Sequence, residues 1–177
     1  MNNNIKIFLG ALTLGATLFF PACKKDEETA EENITTIEVH LTGPGFDRKF
    51  YWNDTDADGV ANTLDTIALP PLTGNIQAHL HVYDRSVSPE IDLTEEIEAE
   101  SNDHLFVYAT ATAGLTISNL NTDANGKPFG ITSTWATDQP GTGSLNIKLY
   151  HEPTDKTSTS NPGGDVDFDV TFPVKIN

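Results

Sequence analysis

The chain has 177 residues, with 26 acidic against 10 basic side chains, a formal charge of −16 and a pI near 4.4. That charge repels phosphate backbones and anionic headgroups, so nucleic-acid binding through Lys and Arg is excluded. Thirteen Gly and ten Pro, with 37% hydrophobic residues, describe one domain of many short strands and turns and exclude a large helical bundle.

Asn2, Asn3, Asn4 and Lys6 form a short polar start, followed by an apolar run from Ile7 to Phe20 and then Pro21-Ala22-Cys23. This is the layout of a secretory signal peptide. The run falls short of the roughly 20 residues a helix needs to cross a bilayer. Ala22-Cys23 resembles a bacterial lipobox. The resemblance implies a lipoprotein signal peptide over residues 1–22, acylation of Cys23, and attachment to the membrane through the lipid on that residue. Cys23 is the only cysteine, so disulfides, thiolate zinc sites and a cysteine nucleophile are removed from the list. Residues 23–33 are acidic and without apolar periodicity, and read as a disordered tether. Within them Cys-Lys-Lys-Asp-Glu-Glu resembles the acidic export signal of Bacteroidota surface lipoproteins, which implies the outer leaflet; the plainer alternative is a spacer.

Residues 34–177 read as an all-β domain, an antiparallel immunoglobulin-like sandwich with one short connecting helix. Apolar residues recur with period two, the mark of a half-buried strand. Ile37, Val39 and Leu41 alternate with Glu38, His40 and Thr42, and Ile76, Ala78, Leu80 and Val82 with Gln77, His79, His81 and Tyr83. Leu105, Val107 and Ala109 alternate with His104, Phe106 and Tyr108, and Leu145, Ile147 and Leu149 with Asn146, Lys148 and Tyr150. Phe168, Val170, Phe172, Val174 and Ile176 form a last inward set, where Pro173 predicts an edge or a bulge. Shorter candidates are Lys49 to Asn53, Leu64 to Leu69, Leu115 to Leu120 and Phe129 to Ala136, for eight or nine strands separated by Gly- and Pro-rich turns. Asp92-Leu-Thr-Glu95 has capping-box spacing and predicts a helix over Thr94 to Asp103.

Three constellations could carry chemistry. Asp54, Asp56, Asp58, Asn62 and Asp65 stand at the first, third, fifth, ninth and twelfth places of a calcium loop with Gly59 at the sixth. Asp65 is one carbon shorter than the usual Glu, and the same residues also suit an acidic hairpin turn. Glu96, Glu100 and His104 fall at i, i+4 and i+8, so a continuous helix would align them. With His151, and with His40, His79 and His81, they could build an imidazole–carboxylate site for zinc or copper. The simpler reading makes them solvated helix and strand faces. Tyr51, Trp52, Tyr83, Phe106, Tyr108, Trp135 and Tyr150 could stack on sugars or anchor a partner, or fill a second small core. No nucleophile elbow, phosphate loop or dinucleotide fingerprint occurs, and acids clustered on one helix cannot flank a glycosidic bond, so the expectation is a binding protein and not an enzyme.

Thr94–Tyr108 (TEEIEAESNDHLFVY), Asp123–Gly130, Gly141–Leu145, Leu149–Pro153 and Gly163–Phe172 resemble an uncharacterised family of Bacteroidota outer-membrane and surface lipoproteins. The resemblance implies a sandwich on the outer membrane, working beside a TonB-dependent uptake receptor. It raises Glu100, His104, Tyr108, His151 and Glu152 as binding candidates, whereas His79 and His81 match none of its motifs. The expected function is a lipid-anchored, surface-exposed binding protein accessory to nutrient or metal uptake. A structural or adhesive surface protein that binds protein or glycan is the alternative.

Overall fold

A computed structural model describes residues 32–177; the predicted signal peptide, the predicted acylation site Cys23 and the predicted tether as far as residue 31 lie outside the described residues. Among the described residues period-two alternation is expressed as eleven strands, not eight or nine: β1 (Thr36–Gly43), β2 (Phe46–Asn53), β3 (Thr63–Leu64), β4 (Ile67–Leu69), β5 (Ile76–Asp84), β6 (Ile91–Asp92), β7 (His104–Thr110), β8 (Leu115–Ser118), β9 (Thr132–Thr137), β10 (Gly141–His151) and β11 (Asp165–Ile176), with one helix, α1 (Thr94–Ala99), between β6 and β7. They form two packed sheets, an all-β sandwich. The larger has the order β3-β2-β1-β5-β9-β8 with β6 beside β5; the smaller has the order β4-β11-β10-β7. Every ladder is antiparallel except β4 on β11, which is parallel.

The inner faces close on one core. Ile37, Val39, Leu41, Ile76, Leu80, Val82 and Trp135 from the larger sheet meet Leu145, Ile147, Leu149 and the whole inward set of β11. Sequestering these side chains contributes on the order of 1.5–3 kcal/mol each before conformational entropy is charged against them. The bulge of the β10–β11 ladder lies at Leu149/Tyr150, not at Pro173. Pro173 is tolerated because β4 reaches along β11 only as far as Val174, so the missing donor is not needed on that side.

Four sequence expectations are corrected. Leu64 to Leu69 is not one strand: Thr63 and Leu64 pair with β2, and Ile67–Leu69 crosses to pair with β11 in the other sheet. The helix stops at Ala99 instead of Asp103, because Ser101-Asn102-Asp103 has stronger turn than helix preference. Its capping box is also not made; Asp92 Oδ1 accepts from Thr94 N at 2.9 Å, but Leu93 is the cap residue and no side chain bonds it. Finally β7 is out of phase with the expectation. Phe106 and Tyr108 pair across β10 with Leu149 and Ile147 and face the core, leaving Leu105 and Val107 on the outer side. Phe106 fills the inner position against Phe129 and Phe168, at ring separations of 5.7 and 6.1 Å, volume that a Leu or Val would leave empty. Trp52, Phe106 and Trp135, read as possible surface rings, are buried.

Candidate metal-binding clusters

The outward face of the larger sheet gathers most of the histidines. In the β1–β5 ladder Glu38 stands opposite His81 and His40 opposite His79, because both strands place every second residue outward. The His79 and His81 rings lie 4.3 Å apart and those of His40 and His81 6.2 Å apart. Ligand atoms of Glu38, His40 and His81 all fall within 4.8 Å of one another. Neighbours hold each group in place: His40 bonds Asp47 at 2.9 Å, His79 bonds Glu98 at 3.2 Å, and Lys49 pairs with Glu38 at 2.9 Å. Burial and the adjacent His79 push the His81 imidazole below its ordinary pKa, favouring the neutral ring whose lone pair a metal uses. Burial works to raise the Glu38 carboxyl, but hydrogen bonds from Lys49 and Tyr51 outweigh it and keep the group ionised. A cleft of about 390 Å³ opens beside His40 and His79.

A second cluster is buried at the start of β7. His104 is fully enclosed, and its Nδ1 bonds the backbone carbonyl of Glu100 at 3.1 Å. Its Nε2 faces Glu32 Oε1 at 3.8 Å and Asp167 Oδ2 at 3.9 Å. His151, opposite it on β10, stacks at 4.9 Å with the ring planes 9° apart. Burial is the main influence on His104 and holds its imidazole below the ordinary value, against the opposing pull of the Glu100 carbonyl and the Glu32 charge. The turn that follows α1 is what permits this arrangement. Lys156 donates to Ser101 O at 2.6 Å and to Asp123 Oδ2 at 2.7 Å, pinning that turn, and Glu152 N donates to Asp103 O at 2.6 Å. At the far end of the β10–β11 connection Gly164 has φ +76, and a Cβ there would overlap His151 O.

The aspartate loop follows β2. Asp54, Asp56 and Asp58 bring ligand oxygens within 4.8 Å of one another, and Asp65 is not among the carboxylates they gather. Asn62 Oδ1 accepts from Thr55 N at 2.6 Å, and Asp65 Oδ2 accepts from Tyr51 N at 2.9 Å on the strand edge. Asp54 is itself buried and accepts from the amides of Asp58 and Gly59, at 3.3 and 2.7 Å, which is the turn reading of this segment. The calcium set inferred from spacing thereby loses Asp65, since β3 draws it back along β2 before the loop can close on it.

Of the other candidates, Glu96 is exposed on α1, and Glu100 serves His104 through its carbonyl and not its carboxylate, so the helical alignment of Glu96, Glu100 and His104 is not made. Tyr108 is turned inward and donates to Gly130 O at 2.6 Å. Glu152 is exposed beside His151, with φ +48. Glu32, Glu38 and Asp167 were missed. Glu38-x-His40 and His79-x-His81 share period two, and aligning the two strands would have found Glu38; Glu32 sits in an acidic run and carries no signal of its own. An apolar cleft of about 520 Å³ lies outside β7, lined by Leu105, Val107, Leu115, Ile117 and Leu120. Among the described residues no helix is long and apolar enough to cross a membrane. Comparison with known protein families, with curated proteins and with solved structures yields no match for this chain.

Proposed function

We propose that the protein is a lipid-anchored, surface-exposed binding protein of the outer membrane, accessory to metal uptake and working beside a TonB-dependent receptor. Its exchangeable cargo site is the Glu38–His40–His81 face, which takes zinc or copper. The observation that carries the reading is the convergence of two half-buried imidazoles and the buried Glu38 carboxylate on the outward sheet face, with a third imidazole, His79, next to them. Zinc and copper favour imidazole, and zinc accepts carboxylate as a further ligand. An open position suits a carrier, because a partner can reach the ion without unfolding the domain. Binding requires Glu38 to exchange Lys49 for the metal, and His79 to leave Glu98 if it becomes the fourth ligand.

Titration of zinc and copper into the purified chain, followed by calorimetry, tests this. A saturable binding event that disappears in the His40→Ala/His81→Ala double variant, with the stoichiometry falling by one equivalent, is expected. Affinity unchanged by those two substitutions would remove the face as the cargo site. The anchor is tested separately by incorporation of labelled fatty acid, which Cys23→Ser should abolish. Calcium at Asp54, Asp56 and Asp58 is a subsidiary part of the proposal, with a role confined to stiffening the loop.

A further inference from the structure

The cluster around His104 differs from the open face in one chemical respect. A backbone carbonyl can only accept, so the Nδ1 that bonds Glu100 O carries the ring proton. Nε2 of the neutral ring is then a bare lone pair. It is fully enclosed, has no hydrogen-bond partner among the described residues, and points at two carboxylates. Glu32 Oε2 is likewise buried without a hydrogen-bond partner among the described residues. The side chains of Glu32 and Asp167 are only 9% and 5% exposed, so acceptor groups converge where water does not reach to separate them.

An imidazolium would satisfy the charges, but at 3.8 and 3.9 Å neither carboxylate is within hydrogen-bonding distance of Nε2. Those separations suit an ion placed between the groups. A cation bound at about 2.0–2.2 Å from each ligand leaves neighbouring ligand atoms between roughly 3 and 4 Å apart. The hydrogen bond from the far ring nitrogen to a carbonyl is also how metal-bound histidines are commonly oriented. His151, stacked flat behind the ring, fixes its plane.

We infer that Glu32, His104 and Asp167 form a buried binding site for a divalent first-row transition cation, which fastens the N-terminal segment to the rest of the sandwich. Glu32 lies four residues before β1, His104 opens β7 and Asp167 belongs to β11, so one ion would join the beginning, middle and end of the folded unit. The site is enclosed, and its role is structural where the histidine face is exchangeable. It does not depend on that face binding anything.

The test uses the purified full chain, stripped with chelator and titrated with Zn²⁺ or Mn²⁺, in the wild type and in the His40→Ala/His81→Ala background, so that the two sites are counted separately. In the background variant one equivalent of ion should still bind, with a saturable rise in Tm, because an ion that binds only the native state stabilises it by mass action. Glu32→Gln in that background should weaken the binding by at least about tenfold, the loss typical even of outer-shell changes. Glu32 lies at the edge of the fold, so this variant keeps the core intact; its metal-free Tm should equal or exceed that of the parent, since one buried negative charge is removed. Asp167→Asn is the second variant, with the same expectation. The inference is overturned if neither ion raises Tm in the background variant, or if Glu32→Gln and Asp167→Asn both bind as the parent does.

Discussion

The open histidine face and the enclosed His104 cluster use the same residue types and meet opposite physical conditions. On the face, His40, His79 and Glu38 each have an ionic or hydrogen-bonding neighbour from an adjacent element, and water reaches the rings. At His104 the ring is sealed, one nitrogen is held by a carbonyl, and the other faces two carboxylates at 3.8 and 3.9 Å. The difference follows from position. β1 and β5 are central strands whose outward face is covered only in part, whereas His104 sits where β7, the β10–β11 connection and the N-terminal segment meet. An exposed polar group is solvated whatever its neighbours do; a buried one is either matched or costly.

Substitution to alanine should separate the two regions most sharply. Removing the His104 ring leaves a cavity and two buried carboxylates, and should cost about 2–4 kcal/mol of metal-free stability in urea unfolding. His40→Ala on the exposed face should cost less than about 0.5 kcal/mol. Equal losses would erase the distinction between them.

The second cluster also depends on the Asp123–Lys156 pair that pins the turn before His104. Burial opposes ionisation of Asp123, but the Lys156 ammonium and the amides of Lys127 and Asn125 outweigh it and hold its pKa below the ordinary value. Its folded-state pKa being depressed, the contribution is complete above the unfolded value of about 3.9 and is lost as pH falls through the lower folded value. Lys156→Met should therefore cost about 1–3 kcal/mol at neutral pH, with the gap to wild type closing below about pH 4. A gap that stayed constant down to pH 2 would place the loss in packing instead.

In the aspartate loop two neighbouring acids should behave differently. Asp54→Ala strips the Asp58 and Gly59 amides of their acceptor and should cost about 1 kcal/mol even in chelator, with a further loss in calcium. Asp58→Ala should cost more in calcium than in chelator, and equal Tm losses in both would remove calcium from the loop. The smallest effect belongs to His79. Its pair with Glu98 is exposed, so His79→Ala should change stability by less than about 0.5 kcal/mol, and its use lies in showing by zinc titration whether a fourth ligand is recruited.

Much of the fold was legible because alternation is a local property. The strands of the two central ladders, the inward set of β11 and the single helix all follow from runs that can be read without knowing what they face. Where both parities are apolar or aromatic, as in His104-Leu-Phe-Val-Tyr108, the pattern cannot say which side is inward, and packing of Phe106 against Phe129 and Phe168 decides it. The crossing of the chain from β3 to β4 within a few residues was hidden for a related reason, since the short stretch Leu64 to Leu69 serves two sheets and only Asp65-Thr66 separates its parts.

The candidate site divides along the same line. The outward placement of Glu38, His40, His79 and His81 was determined by the sequence itself, because residues two apart on a strand share a face. Their meeting required the β1–β5 register, and only the tertiary structure supplies it. The Glu32–His104–Asp167 cluster lay wholly beyond local reading. Its members are separated by scores of residues and belong to three segments with unrelated patterns, and they converge because the closed sandwich brings its first segment against its last strand. Spacing along a chain reports which face a residue occupies; which residues come to share a buried point is set by how the faces close.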